Sequence, residues 1–376
     1  MAKSKDKKAH HSHLKPSGMP ETISAQLATL VDHPPCGDDW LHEIKFDGYR
    51  ILAIKCGKHA QLLSRNNKDW TDEFPSIREA ISQLTVKQAI FDGELVFLDD
   101  SNRSNFQLLQ NRLQTNFDLS LIYYVFDLLY YDEYDLRSLP LIKRKEILKS
   151  LLPEAAITLQ YSEHILDKGE AVFQRACALS LEGIISKKIN SPYMGGRAKT
   201  WLKIKCSHRQ ELVVGGFTPP KGGRAYFGSL YLGYFNKNKE LIYCGNVGTG
   251  FTQNSLAELH HELKNCISSH NPFNSRPPGI KTATWVLPQL VVEVEFTEWT
   301  KEGRLRHPSF KGLRKDKDAS EIIREKETPI EKLEQHYSIK NLTTDKNKKN
   351  YGVVPSMELM QSDSLYKALF TFGVTG

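Results

Sequence analysis

No stretch of this sequence approaches the run of about 18 apolar residues that a spanning helix needs, so no membrane span is expected. The N-terminal MAKSKDKKAHHSHLK has no apolar signal core. The six cysteines (Cys36, Cys56, Cys177, Cys206, Cys244 and Cys266) include no Cys-x-x-Cys pair. Scattered in this way, they are expected as reduced thiols in a cytoplasm, which argues against a disulfide framework or a zinc site. A phosphate loop ending in Gly-Lys-Ser/Thr is also missing. Gly245-Asn-Val-Gly248-Thr-Gly250 lacks that ending and lies among strand patterns, so turns or bulges are expected there. No internal repeat is present.

What is present bounds the answer. The length of 376 residues suits two domains, and 40% apolar residues can bury real cores. Lys plus Arg number 51 against 44 Asp plus Glu, a net +7 that favours a polyanionic partner. Residues 1–20 read as a disordered basic arm, and His10, His11 and His13 as part of a solvated tail rather than a metal site. From 42 to about 206 the pattern is mixed α/β. Strands are expected at Tyr49–Cys56, Ala89–Leu98, Leu121–Leu129, Gly183–Lys188 and Thr200–Lys205. Helices are expected through Phe74–Leu84, Leu141–Leu152 and Glu170–Leu179. After Lys205 come short strands at Leu212–Phe217, Leu230–Phe235, Leu241–Val247 and Leu290–Phe296, with one helix near Ser255–Cys266. Several strands around one helix suggest a small β-barrel. The acidic run Glu293-Val-Glu295-Phe-Thr-Glu298 reads as a barrel strand with one wet face, not a metal site. Residues 326–376 carry no clear role, although 326–335 has a helical pattern.

The chemistry concentrates around Lys45, in Glu43-Ile-Lys45-Phe-Asp47-Gly48-Tyr-Arg50. If this run is a strand ending in a turn, Glu43, Lys45 and Asp47 share one face. A lysine clustered with carboxylates and arginines costs desolvation that a passive surface avoids. Five more segments repeat the theme of charges at strand ends: Ser64-Arg65-Asn66, Asp92-Gly93-Glu94-Leu95, Tyr124-Val-Phe126-Asp127, Glu182-Gly183-Ile-Ile-Ser186-Lys187 and Trp201-Leu202-Lys203-Ile204-Lys205. Period-two geometry puts Lys203 and Lys205 on one face, which suits a phosphate.

In this order and spacing the segments resemble the covalent nucleotidyltransferases, and among them the ATP-dependent DNA ligases. The text around Asp39–Arg50 and Arg306-His-Pro-Ser-Phe310-Lys-Gly-Leu-Arg314-Lys-Asp316-Lys317 is similar to the ligase module of bacterial end-joining enzymes. The likeness covers about residues 21–325. It implies an α+β fold: an adenylation (nucleotidyltransferase) domain over 21–208, with antiparallel sheets and flanking helices, then an OB-fold β-barrel domain over 209–325. It implies that Lys45 forms a lysyl–AMP with ATP, and that cations or a bound metal make the lysine neutral enough to attack. Glu43 would recognise the adenine through its exocyclic amine. Arg50 and Arg65 would bind ribose and phosphate oxygens. Glu94 would hold the ribose or a metal-bound water. Phe126 would stack on the base, its rival role being a core strand residue. Glu182 would bind Mg²⁺ or Mn²⁺. Lys203 and Lys205 would neutralise the α-phosphate. Arg314, Asp316 and Lys317 would orient the pyrophosphate when the second domain closes about a hinge at 206–212.

The implied substrate is duplex DNA with nicks or ends, bound through its backbone by a cytoplasmic, nucleoid-associated monomer. A bridging partner at DNA ends follows by family analogy alone. The chain shows no region for the helical DNA-binding domain of larger ligases and none for fused polymerase or end-processing modules. A minimal ligase is expected. The alternatives are an RNA ligase or capping-type guanylyltransferase, and a non-catalytic nucleic-acid binder with a decayed pocket.

Overall fold

Strands form where β-branched and aromatic residues cluster between turn residues. The structure is a computed structural model that describes residues 14–98, 121–153, 156–220, 222 and 225–333. Strands occupy Tyr49–Cys56, Gly183–Lys188, Leu230–Phe235 and Leu241–Val247, with the bounds the sequence pattern suggests. Among the described residues the chain forms two units. One holds residues up to 206 and again from 327, and the other holds 207–326.

The first unit contains β1 (Gln26–Leu30), β2 (Trp40–Ile44), β3 (Tyr49–Cys56), β4 (His59–Ser64), α1 (Pro75–Ser82), β5 (Gln88–Phe97), β6 (Leu121–Tyr131), β7 (Tyr134–Asp135), α2 (Leu141–Leu151), β8 (Leu159–Tyr161), β9 (Ile165–Leu166), α3 (Gly169–Ala178), β10 (Gly183–Lys188) and β11 (Gly196–Lys205). They make two sheets. One runs β1-β11-β10-β2-β9, and the other β4-β3-β5-β6-β7 with β8 against β6. Pairing is antiparallel except for β1 with β11 and β6 with β8. The helical spacing of Phe74, Ile77, Ile81 and Leu84 is used as expected, since all four are buried about α1. Proline at the start of α1 costs no hydrogen bond there. The core face of α2 departs from a simple apolar stripe, because it buries Arg144 and Lys145 beside Leu141, Ile147 and Leu148.

Two apolar clusters hold this unit. Leu52, Ile90, Phe126, Leu129, Tyr130, Tyr193 and Trp201 pack together, with Met19 against them. The Ser17 carbonyl accepts from the Tyr130 hydroxyl at 2.8 Å. The expected basic arm therefore ends in anchored chain at 17–19, while residues 1–13 lie outside the described residues. The second cluster joins Val31, Trp40, Val172, Ile184, Leu202 and Leu333. Thr328 donates its N–H to the Leu30 carbonyl at 3.0 Å, and 330–333 is helical. The beginning of the stretch set apart as a tail thus belongs to the first unit; its continuation, 334–376, lies outside the described residues.

The cysteine expectation is corrected. Cys177, at the end of α3, is bonded to Cys206, just after β11, with their Cα atoms 5.2 Å apart. The two lie 29 residues apart in sequence, so no short motif marks them. They meet because the chain turns from α3 directly into β10, where the Cys206 N–H donates to the Glu182 carbonyl at 2.9 Å.

The second unit contains β12 (His208–Phe217), β13 (Leu230–Phe235), β14 (Leu241–Val247), α4 (Gln253–Lys264), β15 (Ile267–Ser268), β16 (Thr284–Val286), β17 (Val291–Phe296), β18 (Glu298–Trp299), β19 (Leu305–Arg306) and β20 (Ser309–Leu313). Its main sheet runs β14-β13-β12-β16-β15, with β17 between β12 and β20. Thr252 and Ser255 cap α4 reciprocally, and Leu256, Leu259 and Leu263 enter the core. Among the described residues the pairings do not close into the ring of a complete barrel. The long β12 is shared: His208–Val213 pairs with β17, and Gly216–Phe217 with β16. The glycine run at 245–250 begins inside β14, next to a register shift against β13, as expected of a bulge.

Candidate active site

β2 ends at Ile44, so Lys45 stands just beyond the strand rather than within it. The expected shared face of Glu43, Lys45 and Asp47 is therefore not formed by one strand. Glu43 is buried, and Lys45 is half-buried at the strand end. The Lys45 N–H donates to the Gly183 carbonyl at 3.0 Å, and its Nζ donates to the Glu182 carboxylate. These two contacts bring the first and fifth sequence segments together. Glycine is needed on both sides. A Cβ at Gly48 would lie 2.1 Å from the Leu95 carbonyl oxygen, and one at Gly183 2.0 Å from that of Ile204.

Behind Lys45, Glu43 is clasped by two cations. Lys145 Nζ donates to Oε1 at 2.5 Å, and Lys187 Nζ to Oε2 at 2.7 Å. Burial alone would raise the Glu43 carboxyl, but the charges and hydrogen bonds of Lys145 and Lys187 hold it below the ordinary range. Lys187 is lowered to about 8, first by burial, against the opposing pull of Glu43. Its ammonium also lies 4.2 Å from the Phe126 ring centroid and 4.1 Å from that of Trp201. Phe126 is 7% exposed and sits in the core cluster, with the Arg50 guanidinium 4.4 Å from its ring.

Arg50 is fixed by Asp92, accepting nothing and donating from Nε at 2.5 Å and Nη2 at 2.7 Å. The Tyr193 hydroxyl donates to the same carboxylate at 2.7 Å. Glu94 faces Arg50 across the β3–β5 ladder and is half-buried. Arg65 follows the end of β4, and its Nε reaches Asn66 Oδ1 at 3.4 Å. On β11, Leu202 and Ile204 are buried while Lys203 and Lys205 are half-buried, so the expected division of faces is present. Trp201 shares the parity of the lysines yet is buried against Phe126 and Tyr193. Lys203 pairs with Ile185, and Lys205 with Gly183, in the β10–β11 ladder that also carries Glu182 at its entry.

Arg314, Asp316 and Lys317 lie in the second unit, after β20. Arg314 donates to both Asp316 oxygens, at 2.9 and 2.8 Å, and to Glu293 at 3.1 Å. Lys317 lies 3.4 Å from Glu211. Glu293 is 4% exposed, so the wet face expected of its strand fails there: the carboxylate is turned inward to meet Arg314. Glu295, two residues on, pairs with Lys311 at 2.7 Å and Arg209 at 3.3 Å.

Sequence reasoning did not single out Lys145. Nothing distinguishes it within Lys143-Arg144-Lys145 until the helix phase is known. Lys187 and Asp92 lay inside quoted segments but had no assigned role. The donor types fit a hard cation. Mg²⁺ commonly takes one or two carboxylates and completes its shell with waters and substrate phosphates. Glu182 and Glu94 supply that type of ligand, and among the described residues no three His, Cys, Asp or Glu side chains form a metal cage. Among the described residues no helix is long and apolar enough to cross a membrane.

Comparison with known proteins identifies the family. A family model described as the ATP dependent DNA ligase domain matches residues 25–205, and one described as the ATP dependent DNA ligase C terminal region matches 223–317. The multifunctional non-homologous end joining protein LigD of Pseudomonas aeruginosa is 38% identical over 313 residues, covering 82% of this chain and 37% of that protein. The chain thus spans well under half the length of that relative. A DNA ligase of Thermococcus fumicolans is 30% identical over 325 residues, covering 81% of this chain and 56% of that one. A solved structure of mycobacterial DNA ligase D complexed with ATP and MES is 33% identical, with a TM-score of 0.58 over 80% of this chain and 98% of that one. Two family models across both units, and relatives above 30% identity over most of the chain, show that it belongs to the ATP-dependent DNA ligases.

Proposed function

We propose that this chain joins a 5′-phosphate to a 3′-hydroxyl in duplex DNA at the expense of ATP, through an AMP carried on Lys45. The observation that carries the reading is Lys45 at the end of β2, held on Glu182, with Glu43, Arg50 and Phe126 beside it in the same unit. Lys45 Nζ gives up a proton and attacks the α-phosphorus. An N–P bond forms and the bond to pyrophosphate breaks. A DNA 5′-phosphate oxygen then takes the AMP, and Lys45 is released as the amine. The 3′-hydroxyl attacks the adenylated end, and AMP leaves. Such transfers depend on positioning and charge more than on acid–base groups.

Each side chain has a stated task. Glu43 receives the exocyclic amine of adenine, and Phe126 offers its ring to the base. Arg50 and Arg65 bind ribose and phosphate oxygens. Lys203 and Lys205 neutralise the α-phosphate as charge builds. Glu182 and Glu94 would hold Mg²⁺ or Mn²⁺, which would supply charge neutralisation at the phosphates. Arg314, Asp316 and Lys317 orient the departing pyrophosphate. The resemblance to end-joining LigD proteins supports a place in double-strand break repair. An end-bridging protein as partner, and a monomer acting on nucleoid DNA, belong to the proposal by family analogy alone.

The test uses α-labelled ATP with Mg²⁺ followed by denaturing electrophoresis. Wild type should carry acid-labile label, Lys45→Ala should carry none, and nick sealing should be lost with it. Equal labelling of the two proteins would refute the assignment of Lys45.

A further inference from the structure

Three hydrogens are available on the Lys145 ammonium, and three acceptors surround it. Glu43 Oε1 lies at 2.5 Å, the Ser162 carbonyl at 3.0 Å and the Phe126 carbonyl at 3.4 Å. The side chain has zero exposure. A lysine whose donors are all committed inside the protein has none left for a ligand. It does join the two residues assigned to the base, through the carboxylate of Glu43 and the backbone carbonyl of Phe126.

We propose that Lys145 is the positioning residue that sets purine specificity, fixing the Glu43 carboxylate as an acceptor for the exocyclic amine of a 6-aminopurine nucleotide and against a 6-oxopurine. The inference rests on the reading of Glu43 as the base contact. Each carboxylate oxygen can accept two hydrogen bonds, so one lysine on each leaves room for an N–H donor from the base. A 6-oxopurine would present a lone pair to the same oxygens. A polar site left unmatched in this way rejects the wrong ligand strongly.

The charged and titratable groups around Glu43 are accounted for. Lys187 holds the second oxygen from β10. Tyr161, on β8, has its ring 4.6 Å from Lys145 Nζ and its hydroxyl 3.1 Å from His164. Burial, with the lysines adding to it, holds His164 well below the ordinary imidazole range. Asp127, on β6, is bound by Arg144 from α2. Lys145 and Lys187 are the groups that hold the Glu43 carboxyl ionised against its burial. Removing Lys145 raises its proton affinity, and a protonated carboxyl can donate to a 6-oxo group.

The test is equilibrium binding of ATP and of inosine triphosphate to the full chain in EDTA, from about pH 5 to 7, below the range in which Lys187 loses its charge. Wild type should prefer ATP with a ratio that is flat across this range. Lys145→Met should lower the ratio at least about tenfold, with the loss deepening toward acid. Lys145→Gln, which keeps a donor without the charge, should lose less, and it decides the matter if the methionine variant does not fold. If folded Lys145 variants keep the wild-type ratio at every pH while Glu43→Gln abolishes it, Lys145 has no such role. If Glu43→Gln leaves the ratio unchanged, Glu43 does not read the base, and the underlying reading falls with the inference.

Discussion

Asp127 and Arg144 are both at zero exposure, and each depends on the other. Arg144 Nε and Nη2 grip the two Asp127 oxygens at 2.7 and 2.8 Å, while Nη1 donates to the Ser191 carbonyl at 3.0 Å. Moving two ions out of water costs several kcal/mol per ion, and only such complete bonding offsets it. Arg144→Met leaves a buried carboxylate without its partner and should cost about 3–5 kcal/mol, read from urea unfolding. Removing both charges, in Arg144→Met with Asp127→Leu, should recover a large part of that loss. A double variant as unstable as the single one would show that packing, not charge, governs the site. This pair marks the limit of residue-level reading. The apolar positions of α1 follow from periodicity, because water decides them. The cations on the core face of α2 do not, because their partners lie on β6 and β2, far away in sequence.

At the scale of elements, most strands were legible because β-branched and aromatic runs between turn residues have few other uses. The ends were less so. β2 stops at Ile44, yet Lys45 stays tied to the neighbouring strand by giving its N–H to Gly183 on β10, a long-range bond that no local pattern announces. The disulfide between α3 and the end of β11 was hidden for the same reason. The β10–β11 ladder organises the site, since Gly183 pairs with Lys205 and Ile185 with Lys203, and Glu182 enters beside them. Gly183 has φ +151°, and a Cβ there would meet the Ile204 carbonyl oxygen at 2.0 Å. A substitution must therefore push the two strands apart where they carry Lys203, Lys205 and the partner of Lys45. Gly183→Ala should destabilise the first unit by at least about 1–3 kcal/mol and should abolish labelling of Lys45 even at temperatures where the protein stays folded. Retention of both stability and labelling would mean that the ladder tolerates a shift and does not fix the site.

Across the whole molecule the proposed site residues divide between the units. Lys45 and its neighbours lie in the first, whereas Arg314, Asp316 and Lys317 lie in the second. The sequence made this division visible through the change of texture after Lys205 and the matched text at 306–317. It did not reveal that the second unit is inserted, with residues 327–333 returning to pack Leu333 against Val31 and Trp40. That return gives the second unit two covalent connections to the first. It also left unseen how Arg314 and Lys317 are occupied, one on Glu293 and Asp316 and the other near Glu211. If Lys317 serves the departing pyrophosphate, it matters only while ATP is the substrate. Sealing of a nick already carrying AMP has no pyrophosphate to expel. Lys317→Ala should therefore slow lysyl–AMP formation by at least about tenfold, the worth of one lost charge-assisted contact, while sealing of a pre-adenylated nick changes little. Lys203→Ala should slow both steps, because an α-phosphate reacts in each. Equal losses in both steps for Lys317→Ala would place that lysine on the DNA or in the fold rather than on the leaving group.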